Sequence, residues 1–239
     1  MTPPLFYVSA EQFADDTVVI GGDEGRHAAV VRRIRVGEAV MVGDGAGNVV
    51  HGSVTEVQRA KVSVGVERRE TKQRNDPTFV VAQAIAKGGR DEDAVEAMTE
   101  LGVDEVIGWE AARCVARWTD RSAARWSATA RAASKQSRRP WIPVVSGPVS
   151  TSQLAQRLQA STLGIVLHEG ADRSLSSVTV PAHGDVVIAV GPEGGIADDE
   201  LRSLTDAGAI ACRLGAEVLR TSTAGMAALS VLSAASRWK

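Results

Sequence analysis

Three short stretches of this sequence carry residue types that bind or activate a small ligand: LHEG at 167–170, GPEGG at 191–195 and LGAEVLRTSTAG at 214–225. The first two follow apolar, β-prone runs, the third follows AIACR, and in open α/β sheets ligands sit outside the carboxyl ends of the strands. GPEGG is the most informative. Three glycines and a proline in five residues, directly after VVIAV, allow positive φ and close approach of a ligand to backbone amides. The stretch has neither the Lys-Ser/Thr pair of a phosphate loop nor the spacing of a dinucleotide turn. An ordinary strand-to-helix turn accounts for the same five residues equally well. In the third stretch Arg220 precedes Thr221, Ser222 and Thr223, any of which can cap the helix that follows. The positive end of a helix disfavours a cation, so Arg220 implies either a nearby anion or a side chain swung into solvent.

Other reactive types offer less. His27, His51, His168 and His183 show no metal-site spacing, and no nucleophile elbow accompanies them. Cys114 and Cys212 have the surroundings of structural cysteines. Charge says more. The formal net charge is −2, yet residues 91–110 hold eight acids and no Lys or Arg, while 111–140 hold eight basic residues against Asp120 alone. A second basic knot, RHAAVVRRIR, contains Arg26, Arg32, Arg33 and Arg35. Local patches of this sign suit nucleic acid, although solvated helix faces would carry the same charges. Arg113, Arg117, Arg121 and Arg125 recur every four residues and would stripe one face of a helix, suiting phosphate contact, with Trp118 and Trp126 interleaved. Trp at such spacing is more often core than a platform for base stacking, so the Arg stripe alone counts.

The elements that must position these residues fall into two regions. Residues 1–72 are β-rich, with TVVI, EAVMVGD, NVVHGSVTEV and KVSVGVE separated by Gly, Asn and Asp turns, which predicts a small barrel or sandwich. The polar run from Glu67 to Pro77 is the linker candidate. Residues 73–239 alternate strand and helix, which predicts an α/β domain with a mostly parallel sheet. Its helices are expected at DEDAVEAMTELG, at roughly 111–137, at TSQLAQRLQA capped by Thr151 or Ser152, at DDELRSLTDAG closed by Gly208, and in the apolar segment TAGMAALSVLSAAS. A chain of 239 residues with 44% apolar and 23% charged residues can bury a core, which excludes wholesale disorder. Its first residues lack the pattern of a signal peptide and no apolar run reaches membrane-spanning length, so a reducing cytoplasm is the expected location.

The order of these pieces resembles the SPOUT superfamily of S-adenosylmethionine-dependent RNA methyltransferases, and within it the ribosomal small-subunit methyltransferase E family. HAAVVRRIRVGE (27–38), KGGRDEDAVEAMTELGV (87–103), RW (125–126), QSRRP (136–140), GPEGG and LGAEVLRTSTA occur in the family's order over nearly the whole chain. The resemblance implies a PUA-like RNA-binding β-barrel followed by a trefoil-knotted α/β domain, a homodimer, and no metal. It implies methylation of N3 of a 16S rRNA uridine, number 1498 in the standard numbering, on the small ribosomal subunit. S-adenosylmethionine would lie against three loops, here Leu167, His168 and Glu169; Gly191, Pro192, Gly194 and Gly195; and Leu214, Gly215, Val218, Leu219 and Thr221. Arg220 is the candidate for stabilising charge on the base, with Glu193 as base or orienter, and Arg26, Arg32, Arg33, Lys87, Arg125 and Arg139 would hold RNA. The sequence departs from the family pattern at Glu217 and Ser222 in the third loop, at Lys135 and at Arg26. A non-catalytic ribosome assembly factor, or a SPOUT enzyme with another RNA target, would share the charge pattern.

Overall fold

The computed structural model describes residues 2–13 and 15–238 and divides into two compact units, Met1–Arg74 with Ser134–Ile142, and Asn75–Ala133 with Pro143–Lys239. The first is built on a five-stranded sheet in the order β1-β3-β4-β5-β2, from Leu5–Tyr7 (β1), Thr17–Ile20 (β2), Ala39–Gly43 (β3), Asn48–Gln58 (β4) and Lys61–Thr71 (β5). The β4–β5 ladder shifts register at His51/Gly52 and at Val54/Glu56, and such bulges bend the pair around the core. Gly52 sits at that bend because a Cβ there would lie 2.1 Å from the Gly65 carbonyl oxygen. Phe6, Val18, Ile20, Val42, Val50, Val54, Val62 and Val64 fill the enclosed face.

The expected β-rich domain is therefore present, with two corrections. β5 runs to Thr71, so the first five of the eleven residues that read as linker from Glu67 to Pro77 are strand. The unit also takes in Ser134–Ile142, which a single division at 72/73 assigns to the second domain. That segment is bonded in at several points: the Gly47 amide donates to the Pro140 carbonyl at 3.1 Å and the Ile142 amide to that of Gly45 at 3.0 Å. Trp141 Nε1 donates to the Lys72 carbonyl at 2.9 Å, and the Tyr7 hydroxyl to that of Arg139 at 2.5 Å. The basic knot is helical: α1 (Gly22–Arg26) runs into a wider turn over His27–Val31, and Arg33, with φ 53°, reverses the chain. Ala28 and Ile34 point into the core, leaving Arg26, Arg32, Arg33 and Arg35 exposed.

The second unit is a six-stranded sheet in the order β11-β9-β10-β6-β7-β8, with every pair parallel. Its strands are Thr78–Ala84 (β6), Glu105–Trp109 (β7), Val144–Val149 (β8), Leu163–Leu167 (β9), Asp185–Val190 (β10) and Ile210–Cys212 (β11). Helices α2 (Arg90–Glu100), α3 (Asp120–Gln136), α4 (Thr151–Gln159), α5 (Asp198–Asp206) and α6 (Thr221–Ala235) complete the layers. Alternate residues of one strand serve opposite faces: Phe79 and Val81 pack with Met98 of α2 and Leu229 of α6, Val80 and Ala82 with Leu154 of α4 and Leu204 of α5. A sheet covered on both faces explains why its central strands β9 and β10 read as nearly unbroken apolar runs. From the edge strand β11 the chain returns inward to α6, which packs on the central strands β6 and β10 and on the turn Leu175–Ser177.

Two local expectations change here. The helix expected from 111 begins only at Asp120, so Arg113 and Arg117 leave the four-residue stripe and only Arg121 and Arg125 share a helical face. Residues 110–119 are instead held as a loop: the Trp118 amide donates to Glu110 Oε1 at 3.1 Å and the Ala112 amide to Glu200 Oε1 at 2.9 Å. The cap of α4 is Ser150, neither Thr151 nor Ser152, and it completes a capping box with Gln153. Thr151 is engaged elsewhere, donating to Glu200 Oε1 at 2.6 Å.

Candidate active site

The three ligand loops follow β9, β10 and β11, and because β11 pairs with β9 and β9 with β10, their carboxyl ends lie side by side. Between them opens a cleft of about 440 Å³ lined by apolar Leu167, Val190, Ile196, Val218, Leu219 and Ala224, with Glu169, Glu193, Arg90 and Arg220 adding charge. That volume lies in the usual range for small-molecule sites. A shallower recess of about 70 Å³ shares Leu167, Glu169, Val218 and Leu219 and adds His168, Leu214, Gly215 and Glu217.

The second loop needs its glycines. The Gly195 amide donates to the Pro192 carbonyl at 2.9 Å, with φ 72° at Gly195, so the turn requires a residue free to enter the left-handed region. A Cβ on Gly191 would meet Ile196 Cγ1 at 2.6 Å, which keeps the strand end against the next turn. Gly194 alone of the expected cofactor residues lines neither cavity. Its backbone faces Arg113, whose Nη1 donates to the Gly194 carbonyl at 3.1 Å.

A buried relay joins the loops. Gln83, at the end of β6, donates through Nε2 to Thr221 Oγ1 at 3.0 Å, and that hydroxyl donates in turn to the Gly191 carbonyl at 2.7 Å. Thr221 thus touches the cleft, but its hydroxyl is occupied in fixing the second loop to the start of α6. Arg213 does the same between the third loop and the first, donating from Nη1 to the Ala171 carbonyl at 2.8 Å. His168 is turned onto its own loop, where Nδ1 accepts from the Gly170 amide at 3.1 Å.

Arg220 is the N-cap of α6 without a side-chain cap bond; its carbonyl accepts from the Thr223 and Ala224 amides at 2.9 and 3.0 Å. The backbone is therefore fixed while the guanidinium stays exposed at the cleft, with no ion-pair partner among the described residues. Helix dipole and guanidinium together favour an anion at this position. Glu193 faces Arg90 Nη1 at 3.4 Å. Arg90, Val190, Ile196 and Ala224 were not among the expected site residues; a cation directly after KGG was the readable signal for the first. Gln83 was signalled too, as the lone polar residue inside FVVAQAIA.

The expected RNA-binding residues are distributed over both units. Arg26, Arg32 and Arg33 share one exposed connection of the first, and Arg139 lies half-buried on its 134–142 segment. Lys87 and Arg125 belong to the second, both exposed, with Arg125 Nε 3.2 Å from Glu92 Oε1. Trp118 and Trp126 pack edge to face at 4.9 Å, and buried Trp126 donates to Asp91 Oδ2, so neither is a free stacking platform. Both cysteines are buried, and burial pushes their thiols up, away from nucleophilic thiolate. Among the described residues no cluster of three or more His, Cys, Asp or Glu side chains could hold a metal ion.

This combination, a small β domain joined to a parallel-sheet domain with its cleft at adjacent strand ends, defines a two-domain RNA methyltransferase of the SPOUT class. Residues 73–233 match the RNA methyltransferase domain family, and residues 20–67 match the RNA methyltransferase PUA domain. The chain is 44% identical to the ribosomal RNA small subunit methyltransferase E of Mycobacterium tuberculosis over its whole length and 94% of that protein. The crystal structure of a ribosomal RNA small subunit methyltransferase E from Neisseria gonorrhoeae bound to S-adenosyl methionine superposes with a TM-score of 0.89 at 25% identity, covering 98% of each chain. A methyltransferase from Legionella pneumophila in complex with SAM gives 0.87 at 29% identity, covering 99% of each. The chain belongs to the ribosomal RNA small subunit methyltransferase E family.

Proposed function

We propose that this chain uses S-adenosylmethionine to methylate N3 of one uridine of 16S rRNA in the small ribosomal subunit. The observation that carries the reading is the convergence of the GPEGG turn, the Leu214–Thr221 loop and the exposed Arg220 guanidinium on one cleft. The residues present fit the cofactor. Apolar Leu167, Val190, Ile196, Val218 and Leu219 suit an adenine ring, the glycine turn offers backbone amides at close range, and Glu169 and Glu193 suit a molecule bearing sulfonium and ammonium charge. When bound, S-adenosylmethionine supplies an electrophilic methyl group.

The protein's own task is alignment and charge. N3 of uracil carries an imide proton, and its loss spreads negative charge over the two flanking carbonyl oxygens. Arg220 at the start of α6 is the group that meets that charge, aided by the helix dipole. Glu193, paired with Arg90 in the lining of the cleft, is the carboxylate assigned to take or orient the proton. Arg26, Arg32 and Arg33 hold RNA phosphates from the first domain, and Lys87, Arg125 and Arg139 are assigned the same role. A homodimer and a cytoplasmic location belong to the same proposal; no helix among the described residues is long and apolar enough to cross a membrane.

The test is transfer of labelled methyl to small subunits from a strain lacking the modification, with naked rRNA in parallel and nucleoside mass spectrometry afterwards. N3-methyluridine at one site is the expected product. A different methylated nucleoside, or no transfer by folded, RNA-bound protein, overturns it. Arg220→Ala should abolish turnover with cofactor affinity near normal, and retained turnover would remove Arg220 from the mechanism.

A further inference from the structure

Arg113 stands on the loop that replaces the expected helical stripe, and the loop is anchored on every side. The Glu110 amide donates to the Val149 carbonyl at 3.0 Å, the Ala112 amide to Glu200 Oε1 at 2.9 Å, and the Trp118 amide to Glu110 Oε1 at 3.1 Å. Glu200 is itself buried and holds Thr151 at 2.6 Å, so the bond at Ala112 is made by a fixed carboxylate. Trp118 lies against Gly108, where a Cβ would come within 2.2 Å of its ring. Arg113 is thereby delivered to the outer side of the GPEGG turn. Nη1 donates to the Gly194 carbonyl at 3.1 Å, and a Cβ on Gly194 would meet Arg113 Cβ at 3.1 Å and the Arg113 carbonyl oxygen at 3.4 Å. Gly194 is therefore a close-approach glycine whose partner is a side chain of this chain, while Gly195 faces the cleft.

We propose that Arg113 is a positioning residue for cofactor binding: it clasps the GPEGG turn from behind and fixes the orientation in which Gly191 to Gly195 meet S-adenosylmethionine. The proposal rests on that cleft being the cofactor's seat. Arg113 does not reach the reacting atoms; it acts through the Gly194 peptide. Loss of the clasp costs the orientation of the turn in the free protein, which cofactor binding must then supply.

Calorimetry with S-adenosylmethionine on the full chain tests this in the wild type, Arg113→Ala, Arg113→Lys and Leu219→Trp, the last crowding the cleft itself. Arg113→Ala should weaken binding about tenfold, as for loss of one charge-assisted hydrogen bond. Arg113→Lys, which keeps the stem against Gly194 and a cationic donor, should stay within about threefold of wild type. In methyl transfer, Arg113→Ala should raise KM for the cofactor and leave kcat at saturation within about twofold. Unchanged affinity in Arg113→Ala alongside lost affinity in Leu219→Trp would overturn the positioning role and spare the cleft. Unchanged affinity in both would overturn the cleft assignment and the proposal with it. A fall in melting temperature with kcat and affinity lost together, and no rescue by lysine, would make Arg113 a merely structural residue.

Discussion

Thr221→Val removes one oxygen from the centre of the relay and little else. Valine has the volume and β-branching of threonine, so the packing of the first turn of α6 and its χ1 restriction are kept. Thr221 is 5% exposed and its hydroxyl makes two bonds in sequence, accepting from Gln83 Nε2 at 3.0 Å and donating to the Gly191 carbonyl at 2.7 Å. A buried polar group left without its partner costs roughly 1–3 kcal/mol. Gln83 Nε2 keeps the Ala84 carbonyl at 3.1 Å, so only the Gly191 carbonyl loses its side-chain partner outright. The expected destabilisation is about 2 kcal/mol, equivalent to ~4–8 °C in Tm for a domain of this size. Thr221→Ser is the control: it keeps the hydroxyl and deletes a methyl, worth about 0.8 kcal/mol. Urea denaturation of the three proteins gives the comparison directly, and calorimetry should show weaker cofactor binding in Thr221→Val alone. A valine variant as stable as wild type, or more stable than the serine variant, would refute the argument that the hydroxyl ties the second loop to α6.

Three further expectations concern other parts of the molecule. Gly108→Ala places a methyl 2.2 Å from the Trp118 ring and should cost about 1–3 kcal/mol by overpacking; an unchanged denaturation midpoint would show that the 110–119 loop is not held there. Asp185 is held below the usual carboxylate range by the Thr78 hydroxyl and by Arg157, against a smaller opposing effect of burial. A depressed folded-state value adds stability above the unfolded-state value of about 3.9 and loses it as pH falls through the folded one, so Asp185→Asn should flatten acid unfolding below about pH 4. Parallel acid curves for the two proteins would remove Asp185 from that transition. Arg32→Ala with Arg33→Ala should weaken RNA binding and reduce the log–log salt slope by about 0.7 for each single-strand phosphate no longer neutralised; an unchanged slope would exclude both from the RNA surface.

Much of the catalytic domain was legible because its sheet is parallel and its central strands are covered on both faces, so β9 and β10 read as apolar runs ending at a glycine-rich or polar loop. The strand-end rule then singled out the three loops that meet in the cleft, and ten of the residues named from them or beside them line it: Leu167, Glu169, Gly191, Pro192, Glu193, Gly195, Val218, Leu219, Arg220 and Thr221. What periodicity could not reveal was how far a helical pattern would be overridden by partners distant in sequence. Residues 111–119 carry the Arg spacing of a helix, but the Ala112 amide is claimed by Glu200, which lies 88 positions away. The same carboxylate takes the hydroxyl of Thr151, and α4 already begins at that residue, so Ser150 is the cap. One buried glutamate, whose own readable signal was only an acid near the start of an amphipathic helix, thus holds a backbone amide in the stretch that reads as helix. The consequence is functional as well as structural. Had the helix begun at 111, Arg113 would have been one more cation on a solvated face. Because the helix starts only at Asp120, the chain delivers Arg113 to the Gly194 carbonyl, so the boundary that local propensity misplaces is the one that sets an arginine against the GPEGG turn.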